Sequence, residues 1–291
     1  MQTVNRLDLL RNSVSAFRAT GETLGLVPTM GALHEGHLTL VREAKSRADR
    51  VAVSIFVNPT QFGPNEDLDA YPRQLAEDSA LLQAEGVDLL WAPDAATMYP
   101  AGYATSISVA GVSANFCGAS RPGHFDGVAT VVCKLFNQVR PDFACFGEKD
   151  WQQLAVIRRM ARDLDLVAPY ADQIIGIATV RESDGLAMSS RNRYLSPASR
   201  KAAAALPQAM REAITEIENG AKPGPVLALL HQAILGAGFT SIDYAALADA
   251  DTLEPIDSRV YAPARLLVAA RIDGTRLIDN MPVCPPAGTN G

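Results

Sequence analysis

The sequence predicts an α/β protein: a Rossmann-like, doubly wound parallel sheet followed by a smaller α+β domain. In the first 180 residues, short apolar runs alternate with longer segments of helical periodicity, which is typical of a parallel sheet with helices on both faces. After residue 180, two helical segments are followed by three strand-like runs. The chain has 291 residues, 48% of them hydrophobic, and is long enough for two such domains.

The predicted strands of the first domain are short, apolar and rich in β-branched residues. The strongest is Val-Ala-Val-Ser-Ile-Phe-Val at residues 51–57, and Pro28 is expected to stop the first strand. The strands are predicted at residues 23–27, 51–57, 88–91, 105–109, 143–146 and 174–179, the fourth being the weakest. The helices are predicted at residues 37–47, 73–85, 128–139 and 151–164.

The second domain begins with Ser196-Pro197, a good N-cap and first-turn pair for a helix ending near Asn219. A second helix follows to about residue 235, and Asp273-Gly274 predicts a tight hairpin. The strands are predicted at residues 241–247, 265–271 and 275–278. We expect a first domain at residues 1–180, a lid domain at 181–284 and a disordered tail at 285–291.

Composition narrows the class of protein. The net charge of −6 argues against a nucleic-acid partner, because phosphate backbones are bound by basic surfaces, but one local basic pocket suffices for a nucleotide. The four cysteines form no C-x-x-C pair and no zinc-like cluster, so buried or half-buried free thiols are expected. Without an apolar leader or a run near the roughly 20 residues that cross a bilayer, a cytoplasmic protein with no membrane partner is expected.

The segment after the first strand is the strongest candidate site. Residues 28–37 read Pro-Thr-Met-Gly-Ala-Leu-His-Glu-Gly-His. In a doubly wound sheet such a loop lies where ligands bind, and the N-terminus of the next helix suits phosphate. His34 and His37 would share a face there and can donate hydrogen bonds to phosphate oxygens. The alternatives are a zinc pair, for which no third ligand is evident, and a helix cap with surface histidines.

Three further segments place polar side chains after predicted strands or between the domains. Residues 58–63 include Gln61, residues 146–153 include Lys149, and residues 180–193 include Arg191. Lys149 can neutralise phosphate charge, and Arg191 can bind phosphate through two hydrogen bonds. Singly, each has an ordinary alternative: a turn, a capped helix with a surface charge pair, and a solvated linker.

Together and in this order, the four segments resemble the pantothenate synthetase family of the HIGH-signature nucleotidylyltransferase superfamily. The signature reads His34-Glu35-Gly36-His37, and Met188-Ser189-Ser190-Arg191 resembles the second signature, KMSKS. The resemblance runs from about residue 24 to residue 280 and includes Arg-Pro-Gly-His-Phe at 121–125. The chain departs from the expected pattern at Trp151, at Asp126 and at Asn115-Phe116-Cys117.

The resemblance implies ATP-dependent condensation of (R)-pantoate with β-alanine through pantoyl adenylate, with release of AMP and pyrophosphate. Mg²⁺ would accompany ATP, with unknown protein ligands, and the enzyme would be a cytoplasmic homodimer. The implied catalytic residues are His34, His37 as proton donor, Lys149 and Arg191. Gln61 and Gln153 would bind pantoate, and Gln61 also β-alanine. The implied ATP-binding residues are Met30, Gly31, Ala32, Leu33, His34, Glu35, Gly36, His37, Gly147, Glu148, Lys149, Asp150, Val180, Met188, Ser189, Ser190 and Arg191.

Three other functions fit the same superfamily signals less well. A nucleotidylyltransferase that makes a dinucleotide cofactor would use similar phosphate-binding segments. A class I aminoacyl-tRNA synthetase conflicts with the acidic charge and with the lack of an anticodon-binding extension. A nucleotide-binding regulatory domain would keep the fold without the chemistry, and it would release neither AMP nor pyrophosphate.

Overall fold

The chain forms two compact units in the computed structural model, which describes residues 1–64, 66, 68–258 and 260–285. The first unit comprises Met1–Ser113, Arg121–Glu148 and Gln153–Ala178. The second comprises Ala114–Ser120, Lys149–Gln152 and the chain from Thr179 onward. The sequence predicts one boundary near residue 180, whereas two short earlier segments group with the second unit. Of the predicted disordered tail, residues 286–291 lie outside the described residues.

The strands are β1 Gln2–Val4, β2 Leu24–Thr29, β3 Arg50–Ile55, β4 Leu89–Trp91, β5 Phe143–Gly147, β6 Ile174–Ile177, β7 Ser241–Asp249, β8 Ala264–Ile272 and β9 Thr275–Val283. The helices are α1 Leu7–Ala19, α2 Glu35–Lys45, α3 Leu75–Ala84, α4 Ala95–Met98, α5 Cys117–Ser120, α6 His124–Val139, α7 Trp151–Asp163, α8 Pro197–Ala203, α9 Ala205–Glu218 and α10 Pro223–Gly236.

The first unit contains the predicted parallel sheet. Its six strands lie in the order β1-β4-β3-β2-β5-β6, and each neighbouring pair is parallel. β2 and β3 are almost fully buried, as expected of central strands covered on both faces. The chain leaves β2 toward β3 on one side, while β5 lies on its other side. The loops after β2 and β5 are therefore at the switch point of the sheet, where ligands bind in this architecture.

The prediction that Pro28 stops the first strand is wrong, because β2 continues to Thr29. The carbonyl of Thr29 accepts from the amide of Phe56, so Thr29 faces β3. Backbone groups alternate in direction along a strand, so Pro28 faces β5. The β2–β5 pairing already ends at Leu26, and the missing amide of Pro28 therefore costs no ladder hydrogen bond.

The second unit is α+β, as predicted. β7, β8 and β9 form an antiparallel sheet, and α8, α9 and α10 contribute to the same apolar core. Asp273 and Gly274 have φ angles of 53° and 73°, which confirms the tight hairpin between β8 and β9. The single helix predicted from Pro197 to Asn219 is divided at Ala204. Pro207 explains the break, because it cannot donate to the carbonyl four residues earlier.

Three further features differ from the predictions. Neither β1 nor α1 is among the elements predicted from the sequence, although Leu10 and Val14 give α1 a buried helical face. Residues 105–109 form no strand: the amide of Ile107 donates to the hydroxyl of Thr130 on α6 instead of to a neighbouring strand. The cysteines are free, but Cys284 is exposed rather than buried or half-buried.

Candidate active site

The loop after β2 leads directly into the N-terminus of α2, and two histidines cap that helix. Nδ1 of His34 accepts from the amide of Gly36 at 3.2 Å, and Nδ1 of His37 accepts from the amide of His34 at 3.4 Å. The ring centroids are 4.1 Å apart. Because both Nδ1 atoms accept, the proton of each neutral ring is on Nε2. The cap alternative and the functional hypothesis are thus compatible, because capping uses Nδ1 of each ring whereas donation to phosphate would use Nε2.

A buried carboxylate shapes the preceding loop. Asp78 of α3 accepts from the amides of Ala32 and Leu33, each at 2.9 Å, and it is 1% exposed. Gly31 and Ala32 both have positive φ angles, 81° and 52°. A Cβ on Gly31 would lie 2.9 Å from Oδ2 of Asp78, so only glycine fits there. No role for Asp78 is predicted from the sequence.

Gln61 lies in the 3₁₀ turn Pro59–Gln61 that follows β3, and it contacts the β2 loop. Its Nε2 donates to Sδ of Met30 at 3.1 Å, and its Oε1 accepts from Nδ2 of Asn58 at 3.1 Å. Oδ1 of Asn58 accepts from the hydroxyl of Tyr99 at 2.7 Å. Burial raises the pKa of Tyr99, although its contact with Thr60 opposes this, so the hydroxyl remains a donor at neutral pH. The structure therefore brings Met30 and Gln61 together.

The main chain of Gln61 is held by a second network. Its carbonyl oxygen lies 2.8 Å from Nδ1 of His124 and 3.3 Å from Nη2 of Arg121. Nη1 of Arg121 is 2.9 Å from Nε2 of His124. Since a guanidinium only donates, Nε2 accepts and Nδ1 of His124 carries the proton toward Gln61. Arg121 and His124 belong to the Arg-Pro-Gly-His-Phe motif, which was the available signal for a role that the prediction left unassigned.

Arg121 also forms a two-bond ion pair with Glu66, at 2.5 Å and 2.6 Å. Partial burial acts to raise the pKa of Glu66, but the hydrogen bonds and charge of Arg121 outweigh it and lower the pKa to about 2. Both side chains are mostly buried, with 16% and 24% exposure for Arg121 and Glu66. The pair thus ties the chain after Gln61 to the start of α6.

The loop after β5 places the remaining predicted residues of the first unit. Gly147 ends β5, Glu148 begins the next turn, and Gln153 is half-buried in the first turn of α7. Lys149 and Asp150 belong to the second unit, where Nζ of Lys149 is 3.9 Å from the Asp150 carboxylate. Lys149 is only 19% exposed, so its charge is partly shielded from water.

The segment from Val180 to Arg191 is an anchored hairpin-like loop, not the solvated linker of the alternative interpretation. The carbonyl of Val180 accepts from the amide of Met188 at 3.0 Å, and Arg181 and Ala187 form an isolated antiparallel β-bridge. The hydroxyl of Ser189 then accepts from the amide of Arg191 at 3.2 Å and caps the 3₁₀ turn Ser190–Tyr194. Met188, Ser189, Ser190 and Arg191 are all half-buried.

Two of the three departures from the expected family pattern, at Trp151 and at Asn115-Phe116-Cys117, have a structural account in the second unit. The Trp151 indole lies 3.4 Å below the Arg265 guanidinium and donates to the carbonyl of Ala250 at 3.0 Å, so the ring packs. Cys117 is buried, and its Sγ is 3.0 Å from the hydroxyl of Tyr244. In the first unit, Asp126 lies in the first turn of α6, where a negative charge suits the helix dipole.

Among the described residues, no group of three or more His, Cys, Asp or Glu side chains is arranged to hold a metal ion. The zinc alternative for His34 and His37 therefore gains no third ligand from this part of the chain. None of the helices in the described ranges is long and apolar enough to cross a membrane.

Comparisons with known proteins all point to one family. The family model of pantoate-beta-alanine ligase matches residues 2–282. The chain is similar to the pantothenate synthetase of Novosphingobium aromaticivorans, with 69% identity covering 98% of this chain and 100% of the relative. A crystal structure of the Thermus thermophilus pantothenate synthetase is 48% identical, with a TM-score of 0.89 and coverage of 97% and 99% of the two chains.

A second structure is the pantoate-beta-alanine ligase of Francisella tularensis, complexed with beta-gamma ATP and beta-alanine. It is 33% identical, has a TM-score of 0.79 and covers 97% of each chain. A family match of this length sets aside the nucleotidylyltransferase, aminoacyl-tRNA synthetase and regulatory-domain alternatives. The chain therefore belongs to the pantoate-beta-alanine ligase family and has the ligase activity of that family.

Proposed function

We propose that the chain performs this ligation with ATP through pantoyl adenylate. A pantoate carboxylate oxygen attacks the α-phosphorus of ATP, and the bond to the bridging oxygen breaks to release pyrophosphate. The β-alanine amine then attacks the acyl carbon and loses a proton while the acyl–phosphate bond breaks to release AMP. Adenylation supplies the leaving group that a free carboxylate lacks, and the protein acts by positioning and by stabilising charge.

The histidine pair at the N-terminus of α2 is the observation that carries this proposal. Its Nε2–H groups and the positive end of the α2 dipole suit an anion, and the pair lies at the switch point of the sheet. We assign His34 and His37 to the phosphates, His37 as the proton donor. Lys149 and Arg191 are assigned to stabilising phosphate charge.

The substrate assignments extend to the neighbouring segments. Gln61 and Gln153 bind pantoate, and Gln61 also contacts β-alanine; the two networks that hold Gln61 support a fixed position for its amide. Backbone and side chains of the loop after β2, of Gly147 to Asp150, of Val180 and of Met188 to Arg191 bind ATP. The ATP and β-alanine bound to the Francisella tularensis ligase support the same ligands here.

Magnesium is proposed to enter with the nucleotide. The described residues offer no preformed cluster of ligands, so the ion would take its oxygens chiefly from the ATP phosphates and water, as Mg²⁺ commonly does.

A cytoplasmic homodimer is proposed on the family resemblance, and light scattering of the purified protein tests the dimer. Residues 181–284 are proposed to close over the nucleotide, and protease protection of the junction near residue 180 by ATP and pantoate tests this.

The test of the chemistry is ATP–pyrophosphate exchange with Mg²⁺, in the presence and absence of pantoate and without β-alanine. We expect exchange only when pantoate is present, because only then is the adenylate formed and reversed. Exchange that is absent with pantoate, in protein that binds ATP, would contradict the adenylate route. His37→Ala protein of wild-type thermal stability is the control for an unrelated ATPase contaminant.

A further inference from the structure

Two adjacent polar residues, Asp279 and Asn280, are buried in the middle of β9, each 3% exposed. A charged group and an amide are unusual in the interior of a strand, and burial costs free energy unless each is fully hydrogen-bonded. Their partners therefore indicate why they are there. All of these partners belong to the second unit.

Asp279 holds the loop that leads to Arg191. Its two carboxylate oxygens accept from Nη1 and Nη2 of Arg181 at 2.7 Å and 2.9 Å, a two-bond pair of fixed geometry. Nη1 of Arg181 also donates to the carbonyl of Gly185 at 3.1 Å, on the far side of the same loop. One carboxylate on β9 thus fixes both arms of the loop from Val180 to Arg191, the Val180 loop, through one guanidinium.

Asn280 holds the segment that contains Lys149. Its Nδ2 donates to the carbonyl of Lys149 at 2.9 Å, and its Oδ1 accepts from Nη1 of Arg265 at 2.7 Å. The same Arg265 guanidinium stacks on the ring of Trp151, two residues after Lys149. These contacts explain why residues 149–152 group with the second unit although they are distant from it in sequence.

We propose that Asp279 and Asn280 are positioning residues for ATP, Asp279 acting on Arg191 through the Val180 loop and Asn280 acting on Lys149 through its main chain. The proposal rests on the proposed roles of Lys149 and Arg191. Neither residue of the pair touches the nucleotide in this scheme. Each fixes the segment from which a phosphate-binding cation projects, so that both cations are set by one rigid strand.

Two nearly isosteric substitutions test the proposed roles of Asp279 and Asn280 separately. Asp279→Asn keeps one acceptor but disrupts the two-bond pair with Arg181. Asn280→Asp keeps the acceptor for Arg265 but replaces the donor to the Lys149 carbonyl with an oxygen. The matched control is Asp243→Asn on β7, which removes the same charge from an ion pair with Arg276 in the same sheet, 2.6 Å long, whose side chains are 18% and 14% exposed.

We expect Asp279→Asn and Asn280→Asp each to raise the KM for ATP or to lower kcat by about tenfold, with the KM for pantoate within twofold. Asp243→Asn should lower Tm without changing the ATP parameters more than twofold. In an Arg191→Ala background the effect of Asp279→Asn should largely disappear, while that of Asn280→Asp persists; a Lys149→Ala background should give the reverse.

Unchanged ATP kinetics in both single variants, effects that add fully in both backgrounds, or an equal ATP effect of Asp243→Asn would each overturn the positioning role. If Lys149→Ala and Arg191→Ala themselves leave ATP kinetics unchanged, the proposed site assignment fails, and this proposal fails with it. If Asp279→Asn does not fold, Arg181→Lys takes its place, because it keeps the charge and loses the paired geometry.

Discussion

Replacing Gly127 by alanine is expected to displace the turn that holds Gln61. Gly127 lies in α6, where the helix passes directly over the 3₁₀ turn Pro59–Gln61. A Cβ on Gly127 would lie 2.4 Å from the carbonyl oxygen of Thr60 and 2.7 Å from the amide nitrogen of Gln61. Both are backbone atoms, so no side chain can rotate away. The carbonyl of Gly127 also accepts from Nδ2 of Asn58 at 3.1 Å, so helix and turn would move together.

Two opposing terms set the size of the effect on stability. Alanine is favoured over glycine inside a helix by about 1 kcal/mol. Overpacking of a tight site costs about 1–3 kcal/mol, and contact with backbone places this site at the upper end. The net result is a loss of about 1–2 kcal/mol in the free energy of unfolding, which corresponds to a fall in Tm of about 2–8 °C.

The assay combines thermal unfolding with steady-state kinetics for each substrate. We expect the KM for pantoate to rise by about tenfold, because a shift of Gln61 misplaces its amide. Gly236→Ala in α10 is the matched control: a Cβ there meets no heavy atom within 4 Å, so the same substitution should leave kinetics unchanged and raise stability slightly. A Gly127→Ala protein as stable as the wild type, or one with an unchanged KM for pantoate, would refute the close-approach argument.

Four other outcomes are expected. His37→Ala should slow pantoate-dependent ATP–pyrophosphate exchange by about 10²-fold or more, and a change within about twofold would remove it from the mechanism. Gln153→Ala should raise the KM for pantoate more than that for ATP; the opposite order would count against its role. Arg121 lowers the pKa of Glu66 from its ordinary 4.5 to about 2, so this pair contributes stability above about pH 4.5 and loses it as the pH falls toward 2. In acid unfolding, the free energy of unfolding of the wild type should therefore fall by about 2 kcal/mol more than that of Glu66→Gln, after allowance for solvent screening. Asp78→Ala leaves two buried amides without their carboxylate acceptor and should lower the unfolding free energy in urea by about 2–4 kcal/mol, and a loss below about 1 kcal/mol would contradict the bracing role.

Most of the fold that is correctly predicted from the sequence follows from local patterns. The alternation of strands and helices predicted the parallel sheet, because each element buries its own apolar face whatever its distant partners are. Residues 105–109 were misjudged because their backbone bonds to the side chain of Thr130, a partner that no local pattern reveals. Pro28 was misjudged for the same reason: a stop signal holds only where a neighbouring strand needs the missing amide, and β5 has already ended its pairing there.

The same distinction explains which site residues the sequence could reveal. His34 and His37 are three residues apart and cap one helix, so their relation is visible in the sequence itself. Asp78 is an acid in the first turn of a helix, a position that the helix dipole already explains, and its role in bracing a loop more than 40 residues away was therefore hidden.

Asp279 presents the opposite case, because nothing local favours a carboxylate in the interior of a buried strand. Its partner, Arg181, is 98 residues away in sequence, so the pairing of these two side chains could not be inferred from the sequence. The sequence predicts this strand only to residue 278, so the violation of a local preference becomes visible only in β9, which runs to Val283. Such violations concentrate where a fold sacrifices local stability for geometry. A residue that satisfies its local rules can conceal a long-range role, whereas one that breaks them without a local reason indicates where to look for one.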